Sequence, residues 1–182
     1  MTCTLFPVAK RRAASLCILL AGVVLVAGLT TTTASAQVLC PQANSLGPPI
    51  VNNQHIFCGE INGAGNATGF HSRPGGLNPN SVAGGNVTVP AGAPAGIYRL
   101  NNFNITQAGV TRVKAFSTMF PDACSQANVL AAIRNAAMGA VAGGAFNGVS
   151  GVSCQAGVPA AAFNITGFTN ANGDILTAYP NY

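Results

Sequence analysis

The sequence has no tryptophan and very little charge: eight lysines and arginines, three aspartates and glutamates, and two histidines in 182 residues. A chain so short of cations has no broad electrostatic footprint for a phosphate backbone, because such binding needs many basic side chains acting together. Any contact with nucleic acid must therefore be local and chemical. The cysteines show no C-x-x-C spacing and the histidines do not cluster, which argues against a zinc site. No internal repeat and no long low-complexity tract is present.

What is present begins with an export signal. Lys10, Arg11 and Arg12 precede the apolar run Leu16 to Leu29, and Thr30 to Thr33 leads into Ala34-Ser35-Ala36, the small-x-small pattern of a cleavage site. The run is short of the roughly 20 residues a spanning helix needs, and no cysteine stands at the cleavage point to carry a lipid. Residues 1–36 are expected to be a signal peptide, with Gln37 as the mature N-terminus. Extracellular or periplasmic location and no stable membrane association after cleavage follow. The remaining 146 of 182 residues are enough for one ordinary domain. That part keeps five cations (Arg73, Arg99, Arg112, Lys114, Arg134) against three acids (Glu60, Asp122, Asp174), a net charge near +2. Much of the basic isoelectric point thus belongs to the signal. Cys3 and Cys17 also leave with it. Cys40, Cys58, Cys124 and Cys154 remain, an even number in an exported domain, which implies two disulfides. Nearness in sequence favours Cys40–Cys58 and Cys124–Cys154.

Glycine and proline punctuate the rest. Residues 37–53 read as an irregular lead-in, with Gly47-Pro48-Pro49 preventing regular structure, and 54–182 as the functional domain. A turn at Asn62-Gly63-Ala64-Gly65-Asn66 separates the segments His55 to Glu60 and Ala67 to His71. Beyond Pro74-Gly75-Gly76 the chain is loop-like to Gly96, except for a short strand expected at Asn86 to Val89. Ile97 to Phe103 and Gly109 to Phe116 have strand character from β-branched and aromatic residues. One helix is expected, capped by Ser125, with Val129, Leu130, Ile133 and Ala137 on one face, ending by Gly143-Gly144. A glycine- and serine-rich turn region follows. Ala161 to Phe168 and Asp174 to Tyr179 close the chain as a hairpin. The fold class is α+β, with mainly antiparallel sheets and one prominent helix.

His55 and His71 are the only side chains of the mature domain that titrate near neutrality without perturbation. The turn between them would bring both to the mouth of one hairpin. Two imidazoles suit metal-free RNA cleavage, one taking the proton of the ribose 2′-hydroxyl and the other protonating the departing 5′-oxygen. A cation must offset the charge that grows on the phosphoryl oxygens. Lys114, the only lysine after the signal, is the candidate.

These residues lie in a pattern that resembles the bacterial EndoU-type ribonucleases, often the toxin tips of secreted or contact-dependent bacterial weapons, related to eukaryotic poly(U)-specific endoribonucleases. The matching stretches are His55-Ile56-Phe57-x-Gly59-Glu60-Ile61, Ala67-x-Gly69-Phe70-His71-x-Arg73-Pro74-Gly75-Gly76, Lys114-x-x-Ser117-Thr118-x-Phe120-Pro121 with the following helix, and Ile175-x-Thr177-Ala178-Tyr179-Pro180. The resemblance implies an EndoU/RNase A-like fold and an endoribonuclease that cleaves RNA at uridines to a 2′,3′-cyclic phosphate and a 5′-hydroxyl. It implies His55 and His71 as the acid–base pair and Lys114 as the transition-state cation. Thr177 and Tyr179 would touch the substrate phosphate and base, with Tyr179 near a uracil, and Ser117 or Thr118 would add a hydroxyl at the phosphate. No cofactor and no metal are expected. The expected partners are RNA and, for a toxin or effector, an immunity or inhibitor protein; a monomer is expected. Four cysteines suit a protein acting outside the reducing cytosol. Two other readings compete: a non-catalytic secreted binding or effector module with the same fold, and a disulfide-bonded surface domain whose histidines lie far apart.

Overall fold

A computed structural model describes residues 37–182; the expected signal peptide, residues 1–36, lies outside the described residues. Residues 37–53 hold no helix or strand, and Val51 makes one parallel bridge to Ile175 near the other end of the chain. His55 was expected in an extended segment, but it sits in a single π-helical turn, Gln54–Cys58. Asn52 builds this turn: its side chain accepts from the His55 amide at 3.0 Å and its carbonyl from the Ile56 amide at 3.2 Å. Buried Ile56, Phe57 and Cys58 hold the turn in place.

Strands β1 (Glu60–Ile61) and β2 (Ala67–Thr68) form the expected small hairpin, with Glu60 opposite Thr68. Strands β3 (Val82–Thr88), β4 (Tyr98–Gln107) and β5 (Val110–Met119) form an antiparallel sheet in that order. All three outrun their sequence-based limits. Glycines weaken the strand signal of β3, yet Gly85 is needed there, since a Cβ would meet the Leu100 side chain at 2.8 Å. Ala108 and Gly109 both have positive φ, which makes the tight turn between β4 and β5. Tyr98, Leu100, Phe103 and Ile105 of β4 are buried, and Asn102, in the left-handed region, resets their alternation.

Helix α1 (Gln126–Ala136) starts where expected. The Ser125 side chain accepts from the Asn128 amide at 3.2 Å, a cap worth about 1 kcal/mol. It stops well before Gly143, because Gly139 turns the chain with φ +80°. Its buried face is Val129, Ala132, Ile133 and Ala136, with Leu130 and Ala137 at the rim. The turn region after it contains an unexpected strand, β6 (Ala145–Val149), which pairs with β7 (Asn164–Thr169) and through it with β8 (Ile175–Asn181). Five residues with a central Gly148 carry little strand signal. The glycine is a packing requirement, since a Cβ would stand 2.2 Å from the Ala136 carbonyl oxygen.

The architecture is the expected α+β, mainly antiparallel with one main helix. Its interior has two parts. One gathers α1, β7, β8 and the π-helical turn around Ile56, Phe57, Phe120, Ile133 and Ile165. The other packs Phe70 against Leu100, Phe103, Ile105 and Met119. Each such side chain contributes roughly 1.5–3 kcal/mol of burial. Both disulfides pair as proximity suggested, Cys40–Cys58 and Cys124–Cys154. The first anchors the lead-in to the turn that carries His55, and the second ties the start of α1 to the loop after β6. No helix among the described residues is long and apolar enough to cross a membrane.

The Cys124–Cys154 bridge closes a loop with a sequence separation of 30. By the chain-entropy account, removing it as the Cys124→Ala, Cys154→Ala double variant costs about 3–4 kcal/mol. Urea melts of the two proteins measure this, and matching midpoints would refute it.

Candidate active site

Both histidines reach one cleft through a reversal of the main chain after β2. Gly69 and Phe70 are consecutive residues in the left-handed region, with φ of 71° and 60°. For phenylalanine that conformation is strained, on the order of 1–3 kcal/mol. It persists because the ring is fully buried, edge-on to Phe103 at 5.5 Å. The reversal turns the next amides onto the π-helical turn: Phe70 donates to the His55 carbonyl at 2.6 Å and His71 to the Ile56 carbonyl at 2.8 Å. Gly69 has no room for a side chain, since a Cβ would stand 2.3 Å from the His55 carbonyl oxygen.

The two imidazoles therefore lie stacked, with ring centroids 5.7 Å apart. Each is anchored through Nδ1. His55 Nδ1 lies 2.7 Å from Glu60 Oε1, and His71 Nδ1 lies 3.0 Å from the Thr118 carbonyl oxygen. The carbonyl can only accept, so His71 carries its proton on Nδ1 when neutral, and the carboxylate favours the same tautomer for His55. Both rings then keep Nε2 for a substrate. Burial holds the His71 ring well below the ordinary histidine pKa, and the charges of Lys114 and His55 push the same way. The hydrogen bond from His55 holds Glu60 below the usual carboxylate range, against the opposing effect of burial.

Lys114 comes from β5, where it pairs in register with Phe103. Its ammonium donates to the Gly69 carbonyl and, at 2.6 Å, to Ser117 Oγ, while Ser117 Oγ donates to the same carbonyl at 2.9 Å. Burial lowers the lysine to about 8. Tyr179, from β8, stands over His71 with ring centroids 5.4 Å apart. His55, His71, Lys114 and Tyr179 thus meet in one neighbourhood. Ser117 is buried, and its hydroxyl holds Lys114. Thr118 serves the site through its carbonyl, which orients His71. Thr177 is half-buried on β8, two residues before Tyr179, and pairs in register with Phe168. A groove of about 350 Å³, bordered by Asn66, Ala67, Arg112, Lys114 and Phe116, runs beside β5. Among the described residues no group of three or more His, Cys, Asp or Glu side chains gathers as a metal site.

The model of the bacterial EndoU nuclease family matches residues 51–182. The chain belongs to this family. No curated protein and no solved structure matches it. The EndoU nuclease match covers every residue of the cleft, and it begins at Val51, the residue that bridges to Ile175 of β8. Sequence reasoning gave no role to Glu60, Gly69 or Phe70, although all three stand in the stretches that resemble EndoU nucleases. Glu60 had a signal, an acid five positions after a histidine at a chain reversal. Phe70 had none, because a phenylalanine at positive φ looks like any other core residue in sequence.

Gly69→Ala should push the His55 carbonyl away and strain a left-handed position. We expect a loss of about 2 kcal/mol or more in stability, together with movement of both histidine side-chain resonances in an NMR spectrum. Unmoved resonances would show that Gly69 does not set the spacing of the rings.

Proposed function

We propose that this EndoU nuclease domain is an exported endoribonuclease that cleaves RNA at uridines, leaving a 2′,3′-cyclic phosphate and a 5′-hydroxyl. The observation that carries this reading is the stacked histidine pair, each ring tied through Nδ1 with its Nε2 kept for a substrate. His71 is the base. Burial and the nearby positive charges keep it neutral, so its Nε2 can take the 2′-hydroxyl proton. The freed 2′-oxygen attacks phosphorus and the bond to the 5′-oxygen breaks. His55 is the acid: its imidazolium, facing the Glu60 carboxylate, gives its Nε2 proton to the departing 5′-oxygen. One histidine gains the proton that the other loses, so the step balances without a cofactor.

Lys114 offsets the charge that builds on the non-bridging oxygens. Its two hydrogen bonds hold the ammonium in place before substrate arrives, which limits reorganisation during the reaction. Tyr179 beside His71 supports a stacking role toward the uracil, and Thr177 on the same strand one toward the phosphate. Ser117 and Thr118 support the site from behind, through Lys114 and His71 respectively. Export agrees with the Lys10-to-Ala36 signal pattern and with two disulfides, which endure outside the reducing cytosol. A toxin or effector role outside its producer, opposed by an inhibitor protein, fits the same compartment.

The test is incubation of the oxidised protein with a uridine-containing oligonucleotide in EDTA, with the product ends identified by mass. Cyclic-phosphate ends are expected, with His55→Ala and His71→Ala each slower by a factor of about 10² or more. Cleavage at equal rates by wild type and both variants would mean a contaminating nuclease, and no cleavage by wild type would favour a non-catalytic module. The pH profile is a second check. His71 must be neutral, so the acid limb of kcat/KM should lie below pH 6.5, where its lowered pKa places it. Lys114 must be charged, so kcat/KM should fall as pH rises through about 8 at the latest.

Lys114→Ala should lose about 10²–10³ in kcat. Its stability should change little, because Ser117 still donates to the Gly69 carbonyl. The linkage sign supports this: a lysine whose pKa is lowered on folding costs stability while charged, a cost relieved as pH rises from about 8 toward its unfolded value. A thermal melt showing substantial unfolding of the variant would instead make Lys114 structural.

A further inference from the structure

Among the described residues, most charged side chains have structural partners. Arg73 pairs with Asp122 and Tyr98, and Arg134 binds the carbonyls of Leu46 and Pro49. Glu60 is taken by His55, and Asp174 lies within the turn before β8, beside Asn170. Arg99 differs. Among the described residues it makes no ion pair and no side-chain hydrogen bond, and its Nε is buried without a partner. Its guanidinium carbon instead lies 4.6 Å from the ring centroid of Phe116 and 5.8 Å from that of Tyr182. Both rings are exposed, at 48% and 41%, although aromatic side chains ordinarily contribute to the core.

Three observations connect this trio with the elements that build the cleft. Arg99 pairs in register with Thr118, whose carbonyl anchors His71. Tyr182 is three residues beyond Tyr179, about 10 Å along an extended chain. Phe116 and Lys114 line the same groove beside β5. A flat guanidinium with unsatisfied N–H groups suits a phosphate, and exposed aromatic rings beside it suit a nucleobase. In a chain this poor in cations, such a local site is the way left to hold a strand.

We propose that Arg99, Phe116 and Tyr182 form a subsite for a nucleotide beyond the two joined by the scissile phosphate of single-stranded RNA, Arg99 binding its phosphate and the exposed Phe116 ring stacking its base. Tyr182, at 5.8 Å from the guanidinium carbon, helps to hold it beside the Phe116 ring. The proposal rests on the RNA-cleaving reading and adds to it a residue set that lengthens the recognised substrate. It makes the enzyme prefer an oligonucleotide to a dinucleotide with the same cleavable step.

The test compares a uridine dinucleotide with a hexanucleotide carrying that step centrally, for wild type, Arg99→Ala and Phe116→Ala, with melts as a check on folding. Each variant is expected to lower kcat/KM on the hexanucleotide about fivefold to a hundredfold more than on the dinucleotide, the range of one lost stacking contact. Arg99→Lys should recover only part, since it keeps the charge but loses the flat fork. Equal effects on both substrates, or none on either, would overturn the subsite. If wild type cleaves neither substrate, the cleavage reading fails. The subsite is then judged by fluorescence anisotropy on a hexanucleotide with 2′-deoxyuridine at the step: weaker binding by Arg99→Ala supports it, and equal binding refutes it.

Discussion

The cleft depends on the main-chain contact between residues 55–56 and 70–72. Phe70 and His71 donate to the carbonyls of His55 and Ile56, and Ser72 donates to Ile56 at 3.2 Å. Stacked imidazoles are a consequence of this backbone pairing, not its cause. The pairing requires a chain reversal so close that only glycine fits at position 69, and it forces Phe70 into a strained conformation. The strain is offset in the second part of the core, where Phe70 is fully buried against Phe103. The spacing of the two imidazoles is thereby set by hydrophobic packing on the far side of the chain.

The same reversal determines the electrostatics. By turning the Gly69 carbonyl toward β5, it supplies the acceptor that holds the Lys114 ammonium. The ammonium and the burial of His71 then act in one direction, keeping that ring neutral. Glu60 places an anion beside the other ring, that of His55. Two chemically identical side chains thus acquire different environments, the difference that the proposed acid and base roles require.

The remaining elements bring distant parts of the chain to this centre. β8 joins the segment before His55 through the Val51 bridge and carries Tyr179 to His71. The Cys40–Cys58 bridge fixes the turn that bears His55, and the Arg73–Asp122–Tyr98 cluster fastens the loop that follows His71 to the end of β5. With few charges and many glycines, the domain uses covalent links and short polar clusters where a larger protein would use a wider core.

Sequence alone determined what depends on residue type and local spacing. The scarcity of charge, the α+β pattern, the Ser125 cap, both disulfides and the small set of residues capable of acid–base chemistry were all legible. These follow from properties a residue carries with it: a ring that titrates, a hydroxyl that caps, a thiol close to another. Tertiary structure decided what depends on long-range packing. β6 and the full length of β3 are held by neighbours rather than by propensity, and the π-helical turn at His55 is held by Asn52 and the Cys40–Cys58 disulfide. Tertiary structure also decided that Ser117 holds Lys114, that Thr118 acts through its carbonyl, and that Arg99 lies beside two aromatic rings. Hydrogen-bond partners, burial and pKa shifts belong to pairs of groups far apart in the chain, so no single stretch of sequence contains them.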